Sequence, residues 1–477
     1  MRTIFEQSQA VLIWLGRDSR EYDAKAAIAS IRIISDFLCQ KLGIEASELR
    51  SIKVPLHDYL VKRRELLPLP NECEFSNDAL WESLRWFYSR SYFTRVWIIQ
   101  ELSVPGGRVV HCGNEMIEWE HVDLVAGYII METAFSKAFG FSNTHCWWAA
   151  SLVQITHSES WLFMLYLASN YYCLDARDFI YSLRDLMKLS DGGNLLIPDY
   201  SKTMTEVYMD SVEAALIDFK NTDVLYYVGG TGDPSWVPQW NKAMLFRNPF
   251  RLTSGLPWKP AADTVPIWSI DRKNKVLSLS GILLDTVEYS EPYNEGVFGT
   301  TMTLSAQGRN EMKEAWTRIL KTFEKKFPIP LDPTVILAAA VSFSFGLNEK
   351  KLVGTEHQLM LNFIAYLKAA LEEDIFSQYI SRELKEESEN ADGTAFGKPV
   401  WDFEYPESSV FITKDGLVGC AVALTRPGDI AIAALGSSYP HVLRQDNENH
   451  RIRGYCYIHG VMKGERKDYE VHTFHIC

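Results

Sequence analysis

The first apolar run of the chain, AVLIWLG at residues 10–16, is continuous and ends at a glycine. Strands of a parallel sheet are usually covered on both faces, so this run predicts a strand buried on both sides. A polar loop follows, and residues 24–42 then carry an apolar stripe at helical spacing. The residues of that stripe are Ala27, Ile31, Ile34, Phe37 and Leu38. A buried strand followed by an amphipathic helix indicates an α/β arrangement.

The same alternation continues to about residue 135. Asn77 and Asp78 are suited to cap a helix that runs through Phe87. RVVHC then predicts a short strand, GN a turn, and MIEWEHVDLVAGYII a strand that runs into a helix. We therefore expect residues 1–135 to form the α/β part of the chain.

Helical patterns dominate the middle of the chain and short strands its end. Residues 136–300 predict a helical region with one strand segment, KVLSLSGILLDTVEY, and residues 301–398 predict further helices and a polar linker. From residue 399 to 477, apolar runs separated by DG, PGD and NEN turns predict a β-rich C-terminal module. The cluster Gly229–Gly232 lacks the Lys-Ser/Thr of a phosphate-binding loop, so it predicts a turn.

Charge and hydropathy narrow the classes of partner. The chain has 61 acidic and 48 basic residues, a formal charge of −13, and no long Lys/Arg block that would attract a phosphate backbone. Its longest apolar run, VILAAAVSF, is about half the length of a bilayer span. The first residues are interrupted by Glu6, Gln7 and Gln9 before a signal-like core develops. We expect no nucleic acid partner, no membrane span and a cytoplasmic location.

Cysteine and histidine offer little support for a metal site. The eight cysteines form no C-x-x-C pair, which is typical of buried thiols in a reducing compartment. CYIHG and HTFHIC bring both residue types close in sequence. If each segment is a strand, Cys456 and His459 point to opposite faces, as do His472 and His475. We therefore expect no metal and no cofactor.

The segment FTRVWIIQELSV predicts an apolar helix that carries charged residues around one tryptophan. On such a helix Trp97 and Glu101 share a face, because they are four residues apart. A carboxylate packed beneath an indole loses hydration and is held ready to donate a proton or to stabilise charge. Gln100, one step round the helix, would hydrogen-bond a ligand. The structural alternative is an ion pair of Glu101 with Arg95 or Arg90 that joins two helices.

Several blocks resemble the HET (heterokaryon incompatibility) domain of filamentous fungi. MRTIFEQSQAVLIWLG resembles its M-x-x-I-Y-x-x-A-x-x-V-x-v-W-L-G block, and WESLRWFYSRSYFTRVWIIQEL resembles the block that ends in R-x-W-x-x-Q-E. LDARDFIYSLRDLM, IPDYSKTMTEVY, DPSWVPQW and GYCYIHGVMKGE resemble recurrent downstream pieces of HET proteins. The resemblance implies a role in non-self recognition that leads to programmed cell death. It also implies other incompatibility proteins or NLR-type proteins as partners.

HET domains are similar to TIR domains, some of which cleave NAD with a helix-borne Glu in a W-C-x-x-E-L context. The matching residues here are Trp97, Ile98, Glu101 and Leu102. The resemblance implies that Glu101 is catalytic and that NAD is a substrate, since a carboxylate stabilises the positive charge that builds on ribose as the glycosidic bond breaks. The implied substrate-binding residues are Trp97, Gln100, Arg95 and Phe93. A non-catalytic HET scaffold, or a protein-binding module that uses the β-rich tail, is the alternative.

Two blocks that open a HET domain, S-Y-x-W-G and D-x-x-C-I-N-Q, have no counterpart in this sequence. The resemblance therefore implies an incomplete TIR-like or flavodoxin-like sheet, with the first two strands missing upstream of Met1. The strand at residues 10–15 would then have an unpaired apolar edge. We expect oligomerisation through that edge, or pairing with a strand from another polypeptide.

Overall fold

The computed structural model describes residues 8–18, 23–52, 54–103, 106–150, 160–244, 257–293, 306–348, 352–396 and 408–477. The chain divides into two compact units. Unit 1 comprises Met1–Lys188, Ile197–Ser201 and Trp240–Ala243. Unit 2 comprises Leu189–Leu196, Lys202–Gln239 and Met244–Cys477.

Unit 1 contains a three-stranded sheet and a set of helices. The strands are β1 (Ala10–Trp14), β2 (Gly107–Cys112) and β3 (Glu115–Glu118). Strand β1 is parallel to β2, and β3 is antiparallel to β2. The helices are α1 (Ala24–Leu42), α2 (Leu56–Val61), α3 (Asp78–Tyr88), α4 (Ile98–Leu102), α5 (Trp119–Met131), α6 (Thr133–Ala138), α7 (Trp161–Ala168) and α8 (Asp178–Tyr181).

Helix α1 has the bounds that the sequence predicts, because both of its ends are set by local chemistry. The Asp23 carboxylate accepts a hydrogen bond from the Lys25 N–H and caps the first turn. Gly43 ends the helix in the left-handed conformation, with φ of 67°, which costs glycine little. The buried stripe of α1 packs against α3 and α5. Asn77 caps α3 by accepting from Leu80 N–H, also as predicted.

Strand β1 is buried on one face only, so the prediction of burial on both faces is wrong. Val11 and Ile13 are buried, whereas Leu12 and Trp14 keep 70% and 56% of their surface exposed. Helices α1 and α5 contact the sheet through β2 and β3, on the face to which Ile13 belongs. In the described sheet β1 has one neighbour, β2, and its other edge is open.

Unit 2 contains an eight-stranded sheet in the part of the chain that the structure describes. Its strands are β4 (Trp268–Asp271), β5 (Val276–Tyr293), β6 (Ser408–Thr413), β7 (Val418–Ala421), β8 (Ile430–Ala434), β9 (His441–Asp446), β10 (Asn449–Ile458) and β11 (Val471–Ile476). The pairings β5–β8–β9–β10–β7–β6–β5 close a ring of six strands. Strand β4 pairs with β5, and β11 pairs with both β5 and β10. The β-rich C-terminal region is therefore confirmed, and the strand predicted near residue 276 pairs with it.

The helices of unit 2 form the second part of its core. They are α9 (Met204–Phe219), α10 (Ala306–Glu324), α11 (Pro333–Phe343), α12 (Glu356–Ala370), α13 (Glu373–Tyr379) and α14 (Arg382–Glu387). Residues 356–387 form three consecutive helices, α12, α13 and α14, separated by two breaks. The breaks fall at Leu371 and Ile380, which adopt extended backbone and bury their side chains. At both breaks the apolar side chain is buried, which favours the extended backbone there.

Among the residues that the structure describes, none of the helices combines the length and the hydropathy that a transmembrane span requires. The same residues contain no group of three or more His, Cys, Asp or Glu side chains arranged to hold a metal ion. All eight cysteines are free thiols, and six of them are buried.

Candidate functional site

The segment around Trp97 is not one helix. Ser91–Thr94 forms a short 3-10 helix, Arg95 is extended with ψ of 128°, and α4 begins only at Ile98. The Val96 N–H donates to the Tyr172 carbonyl at 2.9 Å, outside any helix. The prediction of a continuous helix is therefore wrong for the first half of the segment. There a backbone N–H that a helix would pair locally is bonded instead to a residue far away in sequence.

Glu101 is held by a tyrosine. The Tyr92 hydroxyl donates to Glu101 Oε2 at 2.9 Å, and Glu101 is half-buried. Burial raises the pKa of Tyr92 well above its usual range, and the Glu101 charge and hydrogen bond raise it further. Tyr92 therefore keeps its proton at neutral pH, and its hydroxyl fixes one oxygen of the carboxylate.

The ion pair expected as the structural alternative is not formed. Arg90 Nη2 donates to the Arg17 carbonyl at 2.9 Å, and its guanidinium lies over the Trp86 ring at 4.0 Å. The Arg95 guanidinium lies 5.8 Å from the centre of the Tyr92 ring. Neither arginine forms an ion pair with Glu101, and all of these residues lie in the described ranges. The interpretation of Glu101 as one half of a salt bridge is therefore wrong.

Trp97 points its polar atom at a carboxylate rather than at a ligand. Its Nε1–H donates to Asp178 Oδ2 at 3.1 Å. The Tyr200 hydroxyl donates to the other oxygen, Asp178 Oδ1, at 2.7 Å. Burial, followed by the hydrogen bond to Asp178, raises the pKa of Tyr200. Asp178 therefore joins the Trp97 segment to two later segments of unit 1.

Gln100 lies in the interior, with 3% of its surface exposed. Its Nε2 donates to Asp185 Oδ2 over a long distance of 3.4 Å. Its Oε1 is buried and has no hydrogen-bond partner in the described structure. Phe93 is also fully buried, with its ring 5.8 Å from the rings of Phe87 and Tyr88. Phe93 thus belongs to the core of unit 1, and Arg95 is exposed at its surface.

The sequence does not single out Asp178 and Asp185 as members of this site. Both lie in the block LDARDFIYSLRDLM, seven residues apart, a spacing that puts two side chains on one face of a helix. That spacing is the one sequence signal that points to them. Arg177 is paired with Asp175 at 2.6 Å and donates to the Tyr200 carbonyl at 2.7 Å. Three separate sequence blocks thus meet around Asp178.

Most hydrogen-bond donors around Glu101 are already used within the protein. Trp97 and Gln100 use their donors on carboxylates, and Tyr92 uses its donor on Glu101. Within the described residues, the Gln100 amide oxygen has no hydrogen-bond partner, and Tyr92 bonds only one oxygen of Glu101. A carboxylate with one oxygen fixed could accept a hydrogen bond from a sugar hydroxyl or stabilise a nearby cation.

The chain is similar to heterokaryon incompatibility protein 6, OR allele, of Neurospora crassa. The two are 22% identical over an alignment of 563 positions, which covers 98% of this chain and 78% of the relative. This weak homology supports a HET-type protein. No family model matches the chain, and no solved structure matches it.

Proposed function

We propose that this protein acts in heterokaryon incompatibility and triggers growth arrest and cell death through contacts with other polypeptides. Similarity to an incompatibility protein along 98% of the chain supports the biological role. The observation that carries the mechanism is the state of Trp97 and Gln100. Their donors are used internally on Asp178 and Asp185, which leaves them poorly placed to hold a nucleotide.

The contact surface in this proposal is the outer face of the unit 1 sheet. Trp14 is in register with His111, and His111 with Met116, so all three side chains belong to one face. Trp14 and Met116 are each more than half exposed, and Leu12 lies two residues from Trp14 on the same face. A partner would add a strand to the open edge of β1 and cover these apolar side chains.

The partner strand would come from a second copy of the chain or from another incompatibility or NLR-type protein. The parallel pair β1–β2, connected by way of α1, is compatible with a TIR-like or flavodoxin-like sheet completed by such strands. The acidic balance of the chain favours protein partners over nucleic acid.

A second candidate function is cleavage of NAD by Glu101. The observation in its favour is that Tyr92 fixes Oε2 of a half-exposed carboxylate, while no donor within the described ranges is bonded to Oε1. Such a carboxylate could stabilise the ribosyl cation that forms as nicotinamide leaves. In this case Trp97 and Gln100 would support the position of α4 and would not touch the substrate.

Inducible expression in a filamentous fungus separates the two candidates. Growth arrest and uptake of a vital dye would be scored for the wild type and for Trp14→Lys, Glu101→Gln and Leu174→Lys. Leu174 is the matched control, because it is an apolar residue of unit 1 that is 95% exposed and lies outside the sheet. We expect arrest to be lost in Trp14→Lys and retained in the other two. Loss in Glu101→Gln alone would contradict the contact mechanism and favour the enzyme.

A further inference from the structure

At the open edge of β1, the outward backbone groups and the exposed side chains belong to the same residues. The Gly107 N–H donates to the Gln9 carbonyl at 3.1 Å, and the Leu15 N–H donates to the His111 carbonyl at 2.9 Å. Backbone groups alternate between the two sides of a strand, so odd-numbered residues of β1 bond β2 and even-numbered residues face the open edge. The even-numbered residues, all exposed, are Ala10, Leu12 and Trp14.

The exposed face of β1 is bulky at one end and shallow at the other. Trp14 and Met116 lie in one row of side chains across the sheet, and Ala10 and Gly107 lie in another. A Cβ placed on Gly107 would lie 3.6 Å from the Ala10 Cβ and 3.9 Å from Arg50 Nη1, which are ordinary van der Waals distances. Ala10 and Gly107 therefore form a shallow recess beside the Arg50 guanidinium.

The strand β1 of a second copy is complementary to this edge. When two identical strands pair antiparallel about a two-fold axis, the residue on the axis pairs with itself. With Leu12 on the axis, Leu12 faces its own counterpart, and Trp14 of each copy faces Ala10 of the other. All of these residues turn their backbone groups to the edge, so each pair exchanges both hydrogen bonds. Each indole then covers the recess of the other copy, where the Arg50 guanidinium offers a cation–π contact.

Charge and symmetry favour this arrangement. Residues 8–16 contain no charged side chain, so the paired strands bring no like charges together, although each chain carries a formal charge of −13. In a parallel pair, an even-numbered residue of one copy would lie beside an odd-numbered residue of the other. Parallel pairing would therefore not place Trp14 against Ala10.

We propose that β1 pairs antiparallel with β1 of a second copy of this chain, with Leu12 on the two-fold axis. This inference rests on the proposed function, because it names the partner that covers the outer face of the unit 1 sheet. The pairing joins two three-stranded sheets into one continuous sheet. A strand of five residues makes a small interface beside the roughly 1,200–2,000 Å² of stable complexes, so the dimer depends on protein concentration.

Cysteine cross-linking of the full chain tests this register. Hydrogen-bonded antiparallel pairs hold opposite Cα atoms about 5.5 Å apart, a distance that a disulfide spans. Leu12→Cys should therefore form a covalent dimer with itself under mild oxidation. Ala10→Cys should not, because its two copies lie about 13 Å apart along the strand direction. A mixture of Ala10→Cys and Trp14→Cys should cross-link, since these positions face each other.

Two controls set the background of this experiment. The wild type reports cross-linking by the native thiols, and Leu174→Cys reports cross-linking by an exposed thiol of unit 1 outside the sheet. The proposal is overturned if Leu12→Cys cross-links no faster than Leu174→Cys. It is also overturned if Ala10→Cys alone gives as much covalent dimer as its mixture with Trp14→Cys.

A variant that fills the recess tests the same pairing without oxidation. Gly107→Leu should raise the dissociation constant of the dimer by about tenfold or more, because its side chain takes the place of the partner's indole. Glu118→Gln, at an exposed position of β3 away from the open edge, should leave the constant unchanged. Sedimentation equilibrium measures both, with folding checked by circular dichroism. An unchanged constant in a folded Gly107→Leu variant would contradict the contact of Trp14 with the recess.

Failure of this inference differs from failure of the proposed function. Loss of growth arrest in Trp14→Lys without specific cross-linking of Leu12→Cys would keep the contact mechanism, give the partner strand to another polypeptide and overturn self-pairing. Specific cross-linking of Leu12→Cys with arrest retained in Trp14→Lys would support self-pairing and contradict the proposed function.

Discussion

The two sheets of this protein contain similar apolar strands in different surroundings. Strand β1, AVLIW, alternates between exposed and buried residues, whereas β8, IAIAA, is buried at every position after its first. Strand β8 lies between β5 and β9 inside the closed ring, while β1 has a single neighbour and an open edge. The comparison shows that an apolar run predicts a strand suited to burial on both faces but does not ensure that both faces are covered. In β1, one face stays uncovered within the described chain.

The core of unit 2 and the segment around α4 in unit 1 are held in place by different interactions. The core of unit 2 is a dense aromatic and aliphatic cluster in which Trp316 lies 5.0 Å from Phe343 and 5.5 Å from Phe363. In unit 1, the segment around α4 is tied down by hydrogen bonds to Asp178 and Asp185. Burial of a large side chain is worth more than a single hydrogen bond, so these two regions should respond differently to substitution.

The largest expected difference is between two tryptophans. Trp316→Ala should destabilise unit 2 by about 3–5 kcal/mol, because it removes a fully buried ring and leaves a cavity. Trp14→Ala should change the stability of unit 1 by no more than about 0.5 kcal/mol, because that side chain is largely exposed. Urea unfolding followed by hydrogen exchange in each unit measures both values. Equal losses of unfolding free energy in the two variants would contradict the contrast between a covered and an uncovered region.

The next effect concerns the polar ties of unit 1. Asp178→Ala leaves the Trp97 indole N–H and the Tyr200 hydroxyl without their acceptor, which should cost about 1–3 kcal/mol. The matched control is Asp36→Ala, an exposed carboxylate on α1. The unfolding free energy from urea titration should fall for the first variant and stay near the wild-type value for the second. If the control lost as much unfolding free energy as Asp178→Ala, the stabilising role proposed for Asp178 would be contradicted.

Acidic pH should lower the stability of unit 2, because it favours protonation of the buried His441. Burial lowers the pKa of His441 to about 3, and neither ring nitrogen has a hydrogen-bond partner in the described structure. A histidine with a depressed folded-state pKa contributes stability above its unfolded pKa of about 6.5, and that stability is lost as pH falls toward 3, by up to about 1.4 kcal/mol per pH unit.

His441→Phe keeps a ring against Tyr226 and removes the titration. Protection of β9 from hydrogen exchange should therefore fall between pH 7 and pH 5 in the wild type and hold in the variant. Identical pH profiles for the wild type and His441→Phe would contradict the role given to His441.

The pH dependence expected from Asp123 in unit 1 has the opposite sign. Because burial raises the pKa of Asp123, its contribution to stability falls as pH rises from about 4 to about 8.

The smallest effect on stability is expected at the open edge of β1. Leu12→Lys places a charge on the exposed face and should reduce self-association while changing the unfolding free energy by no more than about 0.5 kcal/mol. Light scattering of the wild type, Leu12→Lys and the control Leu174→Lys would measure it. We expect a lower mass only for Leu12→Lys. A wild-type monomer at all concentrations would rule out a second copy as the partner strand.

Local signals predict the parts of the fold that local chemistry decides. The Asp23 cap and Gly43 fix α1, and Asn77 fixes the start of α3, so both helices follow from sequence. The break at Arg95 does not, because it depends on the backbone of Tyr172, far away in sequence. The partners of Trp97 and Gln100 are nonlocal for the same reason. The sequence thus identifies the residues around Glu101 and misses the carboxylates that hold them.

The most direct measurement is nicotinamide release from NAD by the purified wild-type chain, with Glu101→Gln beside it and folding checked by circular dichroism. We predict no release above background from either protein, because the function we propose lies in contacts made by unit 1. Release by the wild type that is lost in a folded Glu101→Gln variant would contradict that prediction. It would make Glu101 a catalytic residue fixed by Tyr92.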